Sequence, residues 1–363
     1  MPTRYLLLIG LVLTPLLACP QTLPAPAQAL LNQAQAADPA RYQYALSHGA
    51  QILPTTDSLS FYLLWRPAGA PPNGPLIVTL HGSSSWATDE FFLWHAAAQA
   101  HGVGILALQW WFGSSAAPPQ DYYAPQQLYR EIDRALQPVA QPRRSVLLHG
   151  FSRGAANSYG VAFLDQQTTR AYFCLCLANA GSAQLTYPLY RDMDAGNFGP
   201  APLTGTHWAL FCGGRDPAPT MSGCIGMQNT AAWVTRMGAT VELFIQDSLA
   251  GHGGFHQTPA YVDSVLTAFD HCRITALGTG AVPTALPVLT AYPNPFGDNL
   301  VVELPPSPVV RVLRLYDARA RLCRMLEVKC GQTRVALPAA GLPPGLYQLT
   351  CPGHTQPLRV MRE

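Results

Sequence analysis

The sequence predicts an α/β fold, a doubly wound and mostly parallel sheet, followed by a small C-terminal β-sandwich. Two patterns predict it. Between residues 42 and 272, short β-rich runs alternate with helix-compatible segments, which is the pattern of βαβ crossovers. Beyond a Pro/Ala/Thr/Gly stretch at 276–290 the helix-length segments stop, and short alternating runs follow one another closely. An apolar content of 48% in 363 residues can fill one large core and a smaller second one.

Taken in order, the chain begins with Arg4 ahead of an apolar run from Tyr5 to Ala18. This run is too short and too early for a membrane span, and it has the charged, apolar and small-residue order of a signal peptide, assigned to residues 1–18. Leu16-Leu17-Ala18-Cys19 also has the form of a lipobox, an alternative in which Cys19 is lipidated. Residues 19–41, rich in Pro, Ala and Gln, read as a flexible mature N-terminus. The α/β unit is assigned to residues 42–275. Its main strands are expected at 76–80, 104–108, 146–149 and 207–212, with 174–178 and 241–245 completing the set. In such a sheet functional residues sit just past the C-terminal ends of strands, so the loop after each run is where chemistry is expected.

Composition narrows the function classes. Charged residues make up 12%, with 22 basic against 20 acidic and a formal charge of +2, and no Lys/Arg cluster stands beside interleaved aromatics. Nothing in this composition suggests a phosphate-tracking groove, so nucleic acid is not an expected partner. Abundant Pro (34) and Gly (30) suit a loop-rich exported protein. Export permits disulfides. Cys212 and Cys224 flank a loop and are a candidate bridge, whereas Cys174 and Cys176 alternate with apolar residues and are expected on one face of a buried strand as free thiols. No cysteine pair has zinc-site spacing, and no metal or cofactor is assigned.

The run to His149 leads into Gly150-Phe151-Ser152-Arg153-Gly154, and a small-residue stretch follows. Strand, sharp turn and helix make this a nucleophile elbow, in which glycines tolerate the bend and the serine Oγ projects above the sheet. After 76–80 comes His81-Gly82-Ser83-Ser84-Ser85, a turn able to aim backbone N–H groups at a developing oxyanion. The N–H of Ser83 and that of Arg153 are the candidate donors; an ordinary strand-to-helix turn is the alternative for the first. After 207–212 comes Gly213-Gly214-Arg215-Asp216-Pro217, where Asp216 is the candidate acid and Asp247, after the next strand, its rival. After 241–245 comes Gly251-His252-Gly253-Gly254-Phe255-His256. His252 is the candidate base, with His256 able to exchange roles. The two histidines could also be a metal pair, but no third ligand accompanies them in the sequence. Gln109-Trp110-Trp111-Phe112, leading to Asp121-Tyr122-Tyr123, would put Trp110 and Trp111 on a substrate wall or cover the sheet edge. The segment 186–207 has the length of a small lid.

The order Ser152, Asp216, His252, together with these four motifs, resembles the α/β-hydrolase superfamily over residues 42–272, in particular its secreted esterases. The resemblance implies an eight-stranded type of sheet with helices on both faces, and two-step hydrolysis through an acyl-enzyme. Its acyl group stays open: feruloyl, acetyl-sugar and polyhydroxyalkanoate esterases share the plan. A serine peptidase with the same triad, or a non-catalytic surface binding protein on a hydrolase scaffold, are the alternative readings.

Residues 291–363 are expected to form strands at 299–304, 309–316, 323–328, 333–337 and 345–350. This tail resembles the C-terminal sorting domain of type IX secretion cargo through Tyr292-Pro293-Asn294-Pro295-Phe296, Leu315-Tyr316-Asp317, Leu342-Pro343-Pro344-Gly345-Leu346-Tyr347 and the closing Leu358-Arg359-Val360-Met361-Arg362. At Ala318-Arg319-Ala320-Arg321 it departs from the pattern, where Gly is commoner before Arg. The resemblance implies passage through the periplasm and across the outer membrane, with the type IX machinery as partner and a secreted or surface location. An accessory carbohydrate-binding β-domain is the alternative for this tail.

Overall fold

Strands 76–80 and 104–108 are buried at every position, which requires cover on both faces and so a layer of helices on each side. The computed structural model describes residues 22–114, 120–186, 188–277, 290–304, 310–317, 321–351 and 358–363. The signal segment 1–18, Cys19, most of the 276–290 linker and the Ala318–Ala320 departure lie outside them.

The first unit runs α1 (Ala25–Ala37), α2 (Pro39–Ser47), β1 (Gln51–Pro54), β2 (Phe61–Trp65), β3 (Leu76–Leu80), α3 (Ala87–His101), β4 (Gly104–Leu108), α4 (Pro125–Leu136), β5 (Val146–Phe151), α5 (Arg153–Gln166), β6 (Phe173–Asn179), α6 (Pro188–Asp194), β7 (His207–Gly213), α7 (Cys224–Arg236), β8 (Thr240–Asp247), α8 (Gly254–Gln257) and α9 (Pro259–Leu277). These strands form an 8-stranded sheet in the order β1-β2-β4-β3-β5-β6-β7-β8. β2 is antiparallel to β1 and β4, and the neighbours from β4 through β8 are parallel. The order reverses around β3, whose neighbours are β4 and β5, so a crevice opens beyond the ends of β3 and β5.

Alternation along the strands divides the core. Leu76, Val78, Leu80, Val146 and Leu148 face one layer with Tyr159 of α5 and Trp233 of α7. Ile77, Ile105 and Leu147 face the other with Trp94 of α3 and Phe269 of α9. The N-terminal segment expected to be flexible is instead helical: Ala27, Leu30, Leu31 and Ala34, at helical spacing on α1, are buried in that second layer. Among the described residues of 186–207, Leu189, Tyr190, Met193 and Leu203 are buried in the first layer, so they pack as core and not as the expected lid; Tyr190 packs edge-on to Tyr159 and Trp233.

Cys174 and Cys176 do not share a face. The β5–β6 register slips between Val146 and Leu147, pairing Val146 with Phe173 and Leu147 with Leu175. This bulge turns Cys174 to the α9 side, where it is disulfide-bonded to Cys272 with Cα atoms 5.9 Å apart, while Cys176 stays a buried thiol on the other side. Cys212 and Cys224 are bridged, Cα to Cα 4.9 Å.

The second unit contains β9 (Thr290–Tyr292), β10 (Asn299–Glu303), β11 (Arg311–Asp317), β12 (Leu322–Val328), β13 (Arg334–Pro338), β14 (Gly345–Thr350) and β15 (Leu358–Arg362). They make a three-stranded sheet, β13-β10-β9, and a four-stranded sheet, β12-β11-β14-β15. Both sheets contribute to one core that includes Leu300, Val302, Leu313, Leu315, Leu337 and Val360. This is the expected small β-sandwich.

Candidate active site

Ser152 stands between β5 and α5 with φ 53° and ψ −115°, a backbone conformation that side chains rarely adopt. The bend is tight enough to exclude any side chain at its flanks. A Cβ on Gly150 would lie 2.4 Å from the carbonyl of Gly154, and one on Gly154 would lie 2.2 Å from the carbonyl oxygen of Leu80. The Ser152 N–H donates to the Asn179 carbonyl at 2.9 Å, which ties the elbow to β6. Its side chain caps nothing on α5.

The 81–85 turn lies beside the elbow because Leu80 and Gly150 are register partners in adjacent parallel strands. A Cβ on Gly82 would fall 3.4 Å from that of Ser152. Three side chains brace the turn. The Tyr122 phenol oxygen accepts the Ser84 N–H at 3.0 Å, and the Arg153 Nε–H donates to Ser83 Oγ at 3.1 Å with its guanidinium 4.7 Å over the Tyr122 ring. The indole N–H of Trp110 donates to the His81 carbonyl at 3.0 Å. His81 is fully buried; burial pushes its pKa down to about 4, and its Nδ1–H donates to the Gly82 carbonyl at 2.8 Å.

Asp216, on the loop after β7, is buried and divides its oxygens between two tasks. Oδ1 accepts from the Ala218 N–H at 2.8 Å and the Ser222 hydroxyl at 2.9 Å, and Oδ2 accepts from His252 Nδ1 at 2.6 Å. The Nδ1 contact leaves His252 Nε2 as the nitrogen available to a neighbour. Asp247, the rival acid, is engaged elsewhere. It accepts the N–H groups of Leu249 and Ala250 at 2.9 and 3.1 Å and the Tyr261 hydroxyl at 3.0 Å, and these bonds, the Leu249 N–H first, hold its pKa below the usual carboxylate range. Its work is to shape the turn that leads to His252.

Ser83, Ser152, Arg153, Asp216 and His252 line one cavity of about 340 Å³, with Met221 among its apolar walls. Trp110 and Trp111 are not on those walls, which corrects the expected substrate-wall role. Trp110 is 1% exposed and packs on Tyr122, and Trp111 turns its indole N–H to Asp121. The aromatic loop supports the 81–85 turn from behind. His256 lies on α8 in the layer behind β5, with ring centroids 5.0 Å from Trp94 and 5.6 Å from His149, and is not on the cavity wall either. Ser222 and Asn179 carry no motif of their own, and Tyr122, although in the aromatic run, acts by meeting a turn remote in sequence.

Comparison with known proteins gives matches among solved structures only. No family model matches the chain, and no curated protein matches it. A Bacillus cereus carboxylesterase superposes at 13% identity and TM-score 0.42, covering 64% of this chain and 99% of its own. The esterase LipW of Mycobacterium marinum does so at 14% identity and TM-score 0.47, covering 69% and 91%. A Mycobacterium smegmatis proline iminopeptidase gives 12%, 0.44, 63% and 100%. The fold itself follows from the chain's own strand order, the helices on both faces, and a serine at the strand-turn-helix junction after β5. The first unit has the α/β-hydrolase fold.

Proposed function

We propose that this chain is a serine hydrolase acting on carboxylic esters through an acyl-enzyme. One observation carries the reading: Ser152, on a strained elbow at the N-terminus of α5, shares a cavity wall with His252, whose Nδ1 is held at 2.6 Å by a buried carboxylate. In that reading the Asp216 bond fixes the His252 tautomer so that Nε2 accepts the Ser152 proton as Oγ attacks the ester carbonyl. The imidazolium that forms is stabilised by Asp216 and returns the proton to the leaving alcohol; water then repeats the sequence to release the acid. The N–H groups of Ser83 and Arg153 receive the carbonyl oxygen as it becomes negative, a contribution of a few kcal/mol. The cavity volume suits a small acyl or alcohol group, at the lower end of ligand-sized sites.

Export completes the proposal. The N-terminal segment acts as a signal peptide, and the β-sandwich serves as a type IX sorting domain that takes no part in catalysis. The Cys174–Cys272 and Cys212–Cys224 bridges agree with an oxidising destination.

Purified protein should hydrolyse short-chain aryl esters and react covalently with a fluorophosphonate at Ser152. Ser152→Ala should lower kcat by about 10⁴-fold or more with the fold retained. Unchanged turnover in that variant removes the triad, and a folded wild type that fails to label would make the chain a binding protein. Faster cleavage of matched amides than of esters would make it a peptidase.

A further inference from the structure

Behind the elbow, in the layer that holds α3, α8 and α9, a few polar side chains meet among apolar ones. His149 is on β5, three residues before Ser152, and its register partner Thr79 is on β3. Glu90 and Trp94 come from α3 and His256 from α8. His149, Thr79 and Trp94 are fully buried and Glu90 is 2% exposed. Both ring nitrogens of His256 are buried with no hydrogen-bond partner among the described residues.

The protons in this cluster do not satisfy its lone pairs. Trp94 can only donate, and its Nε1–H points to His149 Nδ1 at 3.0 Å, so that nitrogen carries no proton. Thr79 Oγ lies 2.6 Å from Glu90 Oε2 and 2.8 Å from His149 Nδ1, and its single proton serves one of them at a time. Glu90 Oε2 and His149 Nδ1 then face each other as two acceptors 3.3 Å apart. A ligand atom of His256 completes a set in which all three lie within 4.8 Å of one another. A buried carboxylate beside imidazole lone pairs calls for a positive charge between them.

The geometry points to a structural site for a divalent ion of the zinc type, held by Glu90, His149 and His256. Neighbouring donors in a tetrahedral zinc site lie about 3.4 Å apart, close to the Glu90–His149 spacing already present. The outer partners also fit. Thr79 holds the Glu90 carboxylate, and the Asn179 amide, 3.4 Å from His149 Nε2, presents an otherwise unpartnered Oδ1 to the Nε2–H once its two ends are exchanged. Trp94 competes for the His149 Nδ1 lone pair, so ion binding replaces one hydrogen bond. The three ligands stem from the strand before the elbow, the helix after the oxyanion turn and the helix after the His252 loop. A bound ion would clamp together the bases of three of the four loops that converge on the cavity.

The test uses the full chain, stripped with chelator and titrated with Co²⁺ and Zn²⁺. One equivalent of Co²⁺ should give the visible absorption of four-coordinate cobalt and contact-shifted ring-proton resonances from two histidines, and Zn²⁺ should raise the melting midpoint. His256→Phe, which removes a ring without hydrogen bonds, should abolish the absorption and the midpoint rise. Trp94→Phe should bind about tenfold more tightly, because no indole N–H loses its acceptor. Failure of the wild type to bind, or an undiminished response in His256→Phe, overturns the site. Where His256→Phe does not fold, the two-histidine resonances of the wild type decide, and their absence overturns it equally.

Discussion

A single residue concentrates the cost of this site. Ser152 holds a positive φ that typically costs about 1–3 kcal/mol, and the surrounding backbone enforces it through the Asn179 carbonyl bond and the contact of Gly150 with Gly154. Glycine adopts such a conformation freely, although its looser unfolded chain gives back about 0.4–1 kcal/mol. Ser152→Gly should therefore be more stable than Ser152→Ala by roughly 1 kcal/mol, with hydrolysis absent in both. Denaturant unfolding of the two variants measures the difference. If the glycine variant is the less stable, the elbow is not strained.

At the scale of elements, the loop that carries Asp216 is tied by a covalent bridge. The Cys212–Cys224 bridge closes residues 213–223 between the end of β7 and the start of α7, and within that loop Asp216 binds Ser222 and the Ala218 N–H. Closing a loop of about this length restricts the unfolded chain by roughly 3 kcal/mol. Replacing both cysteines by serine should cost about that much in urea unfolding and also lower kcat by releasing Asp216. Equal stability with and without the bridge would mean that the folded loop needs no tether. Elements of this kind were legible where chemistry or pattern was local. Strands 76–80 and 104–108 have their expected bounds, and the loops after β3, β5, β7 and β8 converge because each follows the C-terminal end of a strand in one sheet. What was hidden depends on distant partners. The small apolar face of α1 has meaning only against the sheet, and the bulge that turns Cys174 toward Cys272 leaves no mark in an apolar run. The Trp110 ring, read as a ligand wall, is drawn inward by the His81 carbonyl. His149, in a strand of Val and Leu, was a polar residue on a buried face, which was the available signal for the cluster with Glu90 and His256.

Across the whole molecule, Asp263 of α9 joins both units. It meets His101 at the end of α3 at 3.2 Å, and Arg314 and the Tyr316 hydroxyl of β11 at 3.5 and 3.4 Å. Burial alone would lower the His101 pKa, but its hydrogen bond to Asp263 and the Asp270 carboxylate 3.9 Å from Nδ1 outweigh that and raise it. Burial likewise opposes ionisation of Asp263, yet His101 and Arg314 hold its pKa below the ordinary value. The signs give a window. The His101 contribution is complete below its unfolded pKa of about 6.5 and is lost as pH rises through the higher folded value. The Asp263 contribution is present above its unfolded pKa of about 3.9 and is lost as pH falls through the lower folded value. Facing groups that share the contact are Asp270, Arg273 and Arg314, of which the arginines stay charged throughout. From mildly acidic to mildly alkaline pH the full chain should thus lose up to about 1.5 kcal/mol, the scale of one charged hydrogen bond. In His101→Gln, which cannot titrate, that part of the slope should vanish while a smaller acid limb, from Asp263 against Arg314, remains. Melting midpoints across this range test the assignment, and a His101→Gln profile parallel to the wild type above neutral pH would place the alkaline loss in another group.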